Sequence, residues 1–203
     1  MAGLGAVNQV GESIVAMLRA RRDLLAAENR LAPVPAAFDI TYLSMSRLAT
    51  QPEPTGGCTL SCYRIAMSDH AAQRAPSRGQ AGATSLSVDL HYLFAVWASS
   101  AVEEQSIISW AMLELLAHPV LDRSVLPNDG SWARDETVQI VPDTITDDAL
   151  FRIWGAAQRK YRLSTTFRAR VVRIGFGPTE EWPPVVASRF GFSDADAGAR
   201  ELA

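Results

Sequence analysis

Residues 84–121 read TSLSVDLHYLFAVWASSAVEEQSIISWAMLELLAHPVL, and this stretch decides the fold. Its first part alternates as a β-strand does, because successive strand side chains point to opposite faces. One face is apolar throughout and consists of Leu86, Val88, Leu90, Tyr92, Phe94 and Val96. The other face has Ser87, Asp89, His91, Leu93, Ala95 and Trp97, so it begins polar and becomes apolar. We therefore expect a long strand that is covered on both faces at one end and on one face at the other.

The second part of this stretch changes to a helical period. Ser100 and Glu103 have the spacing of a capping box, in which a hydroxyl and a carboxylate satisfy free N–H groups at the start of a helix. The apolar stripe that follows consists of Ile107, Ile108, Ala111, Met112 and Leu115. Helix is disfavoured at His118 because Pro119 follows it. The sequence predicts a long strand that leads into a capped helix, and together they form the centre of the domain.

The same residues carry a resemblance to a known family. The run VDLHYLF at 88–94, the pair Glu103 and Glu104, and the run HPVL at 118–121 resemble the central signature of the cap, or tail-terminator, proteins of contractile injection systems. Members of that family typically have a Leu-Asp-Leu-His-Tyr-Leu-Leu strand, a Glu-Glu pair, a helix and His-Pro-Val-Leu. A second group of similar positions is Trp154, Tyr161, Arg162, Leu163, Ser164, Arg170, Val171 and Val172. The resemblance covers roughly residues 8–175 and is weaker at 63–74.

The resemblance implies a structural role. A cap of this family is expected to form a hexameric ring on the last layers of inner tube and sheath, to stop their polymerisation and to join them. The implied partners are further copies of this chain and the tube and sheath proteins, with no cofactor. The implied location is the cytoplasm, within a phage-tail-like particle that is later released. The domain would span residues 1–176, and residues 177–203 would form an extended tail.

The rest of the chain predicts a single α+β domain. Helical spacing of apolar residues predicts a helix over residues 8–29, and Thr146 is placed to cap another helix. Alternation predicts strands near residues 38–42, 58–67, 137–141 and 163–174. In the last of these strands, we expect Phe167, Ala169 and Val171 to share one face. The result is a mixed sheet of about five strands, packed by the N-terminal helix and two further helices, with a loop at 75–83.

Composition sets limits on the function. The chain has 203 residues, which fits one domain with its own hydrophobic core. Its formal charge of −3 predicts no general affinity for nucleic acid or for an anionic membrane. No run reaches the roughly 18 apolar residues of a membrane helix, and the N-terminus lacks the pattern of a secretory signal. Cys58 and Cys62 lie about 13 Å apart along a strand, too far for a disulfide.

No residue pattern predicts catalysis or a metal site. Ser87, Asp89 and His91 project from one strand about 7 Å apart, whereas a hydrolase triad needs hydrogen-bond contact between base and nucleophile. The three histidines, His70, His91 and His118, are far apart and lack companions at metal-ligand spacing. We therefore expect no enzyme activity, although a small enzyme with an unrecognised site stays open as an alternative.

The charge pattern is more informative, because six cations lie within residues 159–173 and no acid lies among them. They are Arg159, Lys160, Arg162, Arg168, Arg170 and Arg173. Three interpretations are open: a solvated face paired with acids from elsewhere, a surface that docks on an acidic protein, or a nucleic-acid-binding surface of an accessory protein. Together with Trp182 in the tail, these residues are the candidate contacts between subunits.

Overall fold

The computed structural model describes residues 2–69, 85–129, 132 and 136–175. Its helices are α1 (Ala6–Ala27), α2 (Met45–Thr50), α3 (Ala101–Ala117) and α4 (Asp147–Ala156). Its strands are β1 (Ile40–Tyr42), β2 (Cys58–Met67), β3 (Ser85–Val96), β4 (Val120–Leu121), β5 (Val138–Pro142) and β6 (Ser164–Gly175). The predicted single α+β domain with a mixed sheet is confirmed.

The strands form one sheet in the order β1-β2-β3-β6-β5-β4. β1 runs parallel to β2, and every other neighbouring pair is antiparallel. β3 lies in the middle of the sheet, between β2 and β6. The sequence did not predict α2 or β4, because six and two residues are too few for a period to be visible.

The two later helices begin where the sequence predicts. The hydroxyl of Ser100 accepts a hydrogen bond from the N–H of Glu103 at 3.3 Å, and the hydroxyl of Thr146 accepts one from the N–H of Ala149 at 3.2 Å. These bonds satisfy N–H groups that have no partner inside the helix. The carboxylate of Glu103 accepts a hydrogen bond from the hydroxyl of Ser99 at 3.4 Å.

The larger core lies between one face of the sheet and helices α1 and α3. Its most deeply buried side chains include Val10, Ile14, Leu18, Leu60, Leu90, Tyr92, Phe94, Ile107 and Ala111. The prediction that Met112 belongs to the buried stripe of α3 is wrong, because this side chain is 46% exposed. A methionine one residue beyond Ala111 lies about 100° further round the helix, which turns it away from the sheet.

A smaller core lies on the opposite face, where α2 and α4 cover the apolar part of β3. It contains Leu43, Leu48, Leu93, Ala95, Trp97, Trp154 and Ala157. Cover on both faces at this end is therefore confirmed. The prediction that the polar end is covered on one face only is wrong, because Asp89 and His91 are also buried. Side chains of neighbouring strands and of the segment before α4 contact them there.

A bulge in β6 changes which side chains enter the core. Val88 pairs with Val172 and Leu90 pairs with Ala169, so Asp89 alone lies opposite two residues of β6. Val171 has a φ of 60°, and Val172 takes the buried position. The prediction that Val171 shares a face with Phe167 and Ala169 is wrong, because the extra residue reverses the alternation beyond Ala169.

One glycine allows the first parallel strand pair to form. Gly57 precedes β2 and has a φ of 86°, a conformation that other residues rarely adopt. A Cβ atom at this position would lie 2.1 Å from the carbonyl oxygen of Asp39. The carbonyl of Gly57 accepts a hydrogen bond from the N–H of Trp97 at 2.8 Å. Gly57 therefore lets Asp39, which precedes β1, lie close to the start of β2.

Candidate assembly surface

The six cations within residues 159–173, called the basic segment below, divide into two parts, and Arg159 belongs to the first. Its Nε donates a hydrogen bond to the carbonyl of Leu48 at 3.0 Å, and its guanidinium also donates to the carbonyl of Gln51. Both carbonyls lie at the C-terminal end of α2, where helical carbonyls lack partners within the helix. Arg159 therefore joins the end of α4 to α2 and stabilises the smaller core.

Arg162 also makes contacts within the molecule. One of its nitrogens lies 2.8 Å from a carboxylate oxygen of Glu53, and its guanidinium carbon lies 5.4 Å from the centre of the Trp97 ring. Such a position over an indole face is attractive for a cation. Lys160 lies between these arginines and is exposed. This first part fits the interpretation of cations paired with groups from elsewhere in the chain.

The second part of the segment is Arg168, Arg170 and Arg173 on β6, and all three side chains are half-buried. A guanidinium nitrogen of Arg168 lies 4.0 Å from a carboxylate oxygen of Asp89. The other oxygen of Asp89 accepts a hydrogen bond from the N–H of Val171 at 3.0 Å. These arginines therefore lie beside the polar end of β3, whereas Arg159 and Arg162 precede β6 and contact α2 and Glu53.

A hydrogen-bonded group that includes the buried His91 and Thr166 lies next to these arginines. Nδ1 of His91 is 2.6 Å from a carboxylate oxygen of Asp143, and the hydroxyl of Tyr63 donates to the same oxygen at 3.3 Å. The hydroxyl of Thr166 donates to the carbonyl of Asp143, whose own N–H donates to the carbonyl of Thr166 at 3.0 Å. Burial, and then the charge of Asp143, raise the pKa of Tyr63 to about 12. The group anchors the segment between β5 and α4 to the sheet.

Asp89 and His91 of β3 have different partners. Asp89 contacts Val171 and Arg168, whereas His91 contacts Asp143, so the carboxylate nearest to the histidine is on another segment. In the part of the chain that the structure describes, no three His, Cys, Asp or Glu residues are grouped as a metal site requires. Cys58 is buried and Cys62 is half-buried; both are free thiols, as predicted, and burial raises the pKa of each.

Exposed apolar side chains are the feature that sequence analysis missed. Those on α3 and the following strand are Val102, Met112, Leu113, Leu116 and Val120; those at the ends of β2 and β3 are Ile65, Met67 and Leu86. The sequence carried a signal for the first group, because α3 contains more apolar residues than one buried stripe needs. Trp182 and the expected loop at 75–83 lie outside the described residues, as do residues 177–203.

These features describe an α+β domain with exposed apolar side chains on α3 and at the ends of β2 and β3, and with three half-buried arginines on β6. None of the helices that the structure describes is long and apolar enough to cross a membrane. The chain belongs to the Pvc16 N-terminal domain family, whose model matches residues 9–188. The resemblance to the caps of contractile injection systems is thereby confirmed. No curated protein matches the chain.

Two solved structures share the fold. One is the sheath/tube terminator of PVC, an extracellular contractile injection system, in the extended state; it has a TM-score of 0.58 and 14% identity over 93% of this chain. The other is the tube-terminating cap of the anti-feeding prophage, with a TM-score of 0.53 and 17% identity over 83% of this chain. This chain spans 64% and 60% of the length of those two proteins.

Proposed function

We propose that this chain is a structural cap that ends the inner tube and sheath of a contractile injection particle. The observation that carries the proposal is the family match over residues 9–188, together with the fold shared with two terminating caps. The cap forms a ring, hexameric by resemblance, stops further polymerisation and joins tube to sheath. It assembles in the cytoplasm as part of a particle that is later released. Its role is structural and involves no enzyme activity and no cofactor.

The surface that fits the docking role is the second part of the basic segment. Arg168, Arg170 and Arg173 lie close together on one strand, and the end of β3 beside them is polar. Arginine forms bidentate bonds with carboxylates, so an acidic surface on tube or sheath is a suitable partner. Arg159 and Arg162 support the domain from within. The contacts of Trp182 and the boundary at residue 176 stay predictions.

Electron microscopy of reconstituted tube ends tests this proposal. The full chain is added to purified tube–sheath particles that lack a cap, and we expect a ring at one end of each particle and no further growth. Replacing Arg168, Arg170 and Arg173 by Glu should reduce end binding by at least about tenfold, because several ion pairs then become repulsive. The control is Arg152→Glu, since the Arg152 side chain on α4 is 80% exposed and, among the described residues, pairs with Asp148 one turn away.

A monomer that leaves tube ends uncapped would refute the proposal. Nucleic-acid binding is the alternative raised by the six cations, but at least three of these cations, Arg159, Arg162 and Arg168, already contact groups within the domain. Sub-micromolar binding to DNA or RNA that weakens steeply with added salt would favour that alternative instead.

A further inference from the structure

Three exposed apolar side chains form one patch at an end of the sheet. We define the strand-end patch as Ile65, Met67 and Leu86, which are 54%, 73% and 37% exposed. Ile65 pairs with Leu90 and Met67 pairs with Val88, and directly paired residues point to the same face of a sheet. Leu90 and Val88 are buried in the larger core. The patch therefore continues the face of this core beyond the part that the helices cover.

Two segments outside the described residues adjoin this patch. Residues 70–84 connect β2 to β3, and residues 176–203 follow β6. Gly175 pairs with Ser85, the neighbour of Leu86, so the chain leaves β6 at the same end of the sheet. β2 lies two strands from β6, which is about 10 Å and within the span of a few extended residues. Either segment is long enough to reach the patch.

Composition distinguishes these two segments. Residues 70–84 contain no valine, isoleucine, leucine, methionine or aromatic residue. Residues 176–188 contain Phe176, Trp182, Val185 and Val186. Because the removal of apolar surface from water drives such a contact, the segment after β6 is the one with the side chains to make it.

The extent of the family match favours the same segment. The family model matches residues 9–188, whereas β6 ends at Gly175. The match thus continues past the last described strand and includes Trp182, Val185 and Val186. This extent indicates that residues 176–188 belong to the domain that precedes them.

We infer that residues 176–188 pack on the strand-end patch of their own molecule, with Trp182, Val185 and Val186 covering Ile65 and Met67. The occupant is the same chain because β6 holds this segment beside the patch, at an effective concentration that a separate partner rarely reaches. Trp182 then stabilises the domain, and the extended tail begins after residue 188. The inference concerns a single molecule and does not depend on the proposed ring.

Thiol labelling of the full chain tests the inference. Val185→Cys places a thiol in the segment, and the patch variant carries Ile65→Ser and Met67→Ser. We expect maleimide to label the new thiol at least about tenfold more slowly with the natural patch than in the patch variant, because a docked side chain reacts only when the segment opens. Peptide masses after digestion separate this label from any on Cys58 and Cys62.

Two controls separate the patch from general effects. Ala199→Cys lies beyond the family match and should be labelled at one rate with the natural patch and in the patch variant. Phe151→Ser replaces an apolar side chain on α4 that is 58% exposed, and it should leave the labelling of Val185→Cys unchanged. Circular dichroism checks that each variant is folded.

A reciprocal measurement leaves the patch otherwise intact. Met67→Cys places the thiol on β2, and adding Trp182→Ser should make its labelling at least about fivefold faster, because the segment then covers it less. This measurement decides the matter even where the patch variant is poorly folded.

Cross-linking distinguishes a segment of the same molecule from that of a neighbour. In a chain with both Met67→Cys and Val185→Cys, a short bismaleimide should join the two thiols within one chain and leave the mass of a monomer on a denaturing gel. A dimer joined through these two positions would overturn the inference and assign the patch to the tail of a second copy.

Equal labelling of Val185→Cys with the natural patch and in the patch variant would also overturn it, as would labelling of Met67→Cys that Trp182→Ser leaves unchanged. These measurements use the isolated chain without tube or sheath. The failure of the proposed cap on tube ends is therefore a separate result.

Discussion

The two ends of β3 differ in how they bury the same face of one strand. At the apolar end, Leu93 and Trp97 are 1% and 3% exposed and pack against Trp154 and the short helix α2. At the polar end, Asp89 and His91 are 6% and 7% exposed, and their neighbours are hydrogen-bond partners. The side chains at the two ends are buried to nearly the same extent, but apolar packing accompanies burial at one end and hydrogen bonding accompanies it at the other.

The two ends of β3 therefore lose stability for different reasons when their residues are substituted. The apolar end is stabilised by the area and volume of its side chains, so its stability falls when volume is removed. The polar end is stabilised by the hydrogen bonds of Asp89 and His91, so its stability falls when one partner is removed and the other is left unpaired. The following variants separate these two forms of stabilisation.

The largest loss is expected for Trp154→Ala at the apolar end. The Trp154 ring is 2% exposed and lies 6.0 Å from the Trp97 ring, and its Nε1 donates to the hydroxyl of Ser164 at 3.1 Å. Removing it leaves a cavity that the neighbours fill only in part, so the free energy of unfolding should fall by about 3–5 kcal/mol. Urea denaturation followed by circular dichroism measures the change.

The matched control for that variant is Phe151→Ala on the same helix. The Phe151 side chain is 58% exposed, so its removal should cost less than about 1 kcal/mol. Equal losses for the two variants would mean that α4 does not cover the sheet as described.

A smaller loss is expected for Asp143→Ala at the polar end. The variant leaves Nδ1 of His91 and the hydroxyl of Tyr63 without their shared acceptor, which should cost about 1–3 kcal/mol in the same denaturation experiment. Asp148→Ala is the control, because Asp148 is exposed and pairs with Arg152 at 3.0 Å on the surface, where such pairs contribute less than about 1 kcal/mol.

A double variant sharpens this result. Replacing His91 by Leu in the Asp143→Ala background removes the unpaired histidine, so it should recover part of the lost stability. A further loss of stability would show that the His91 ring itself supports the packing of the polar end.

The sequence predicted the apolar end more fully than the polar end. Alternation placed Leu93, Ala95 and Trp97 on one face. The capping patterns located the starts of α3 and α4. These signals are local, because they depend on neighbours along the chain. The partner of His91 is different: Asp143 is 52 residues away, and no spacing within β3 indicates it.

The basic segment also depends on contacts between residues that are far apart in the sequence. Six cations in one run suggested one surface, yet Arg159 reaches Leu48 in a helix too short to be visible in the sequence. The β6 bulge also escaped prediction, because it depends on pairing with β3 and not on residues within β6. Contacts between distant segments therefore decide which arginines remain on the surface.

The smallest effect is expected from Tyr63→Phe, and it depends on pH. Burial, followed by the charge of Asp143, raises the pKa of Tyr63 from 10.0 to about 12 in the folded chain. The folded state thus holds the phenol proton more tightly than the unfolded state, so this contribution to stability is fully present below pH 10 and is lost as the pH rises through 12. In Tyr63→Phe, the decline of unfolding free energy between pH 10 and 12 should be shallower, by less than about 1 kcal/mol because Tyr63 is partly exposed.

In the Asp143→Asn background the same replacement should change the decline even less, since burial alone then raises the pKa. An unchanged decline in both backgrounds would mean that the Tyr63 hydroxyl is equally solvated in the folded and unfolded chains, and the polar end would then be open to water.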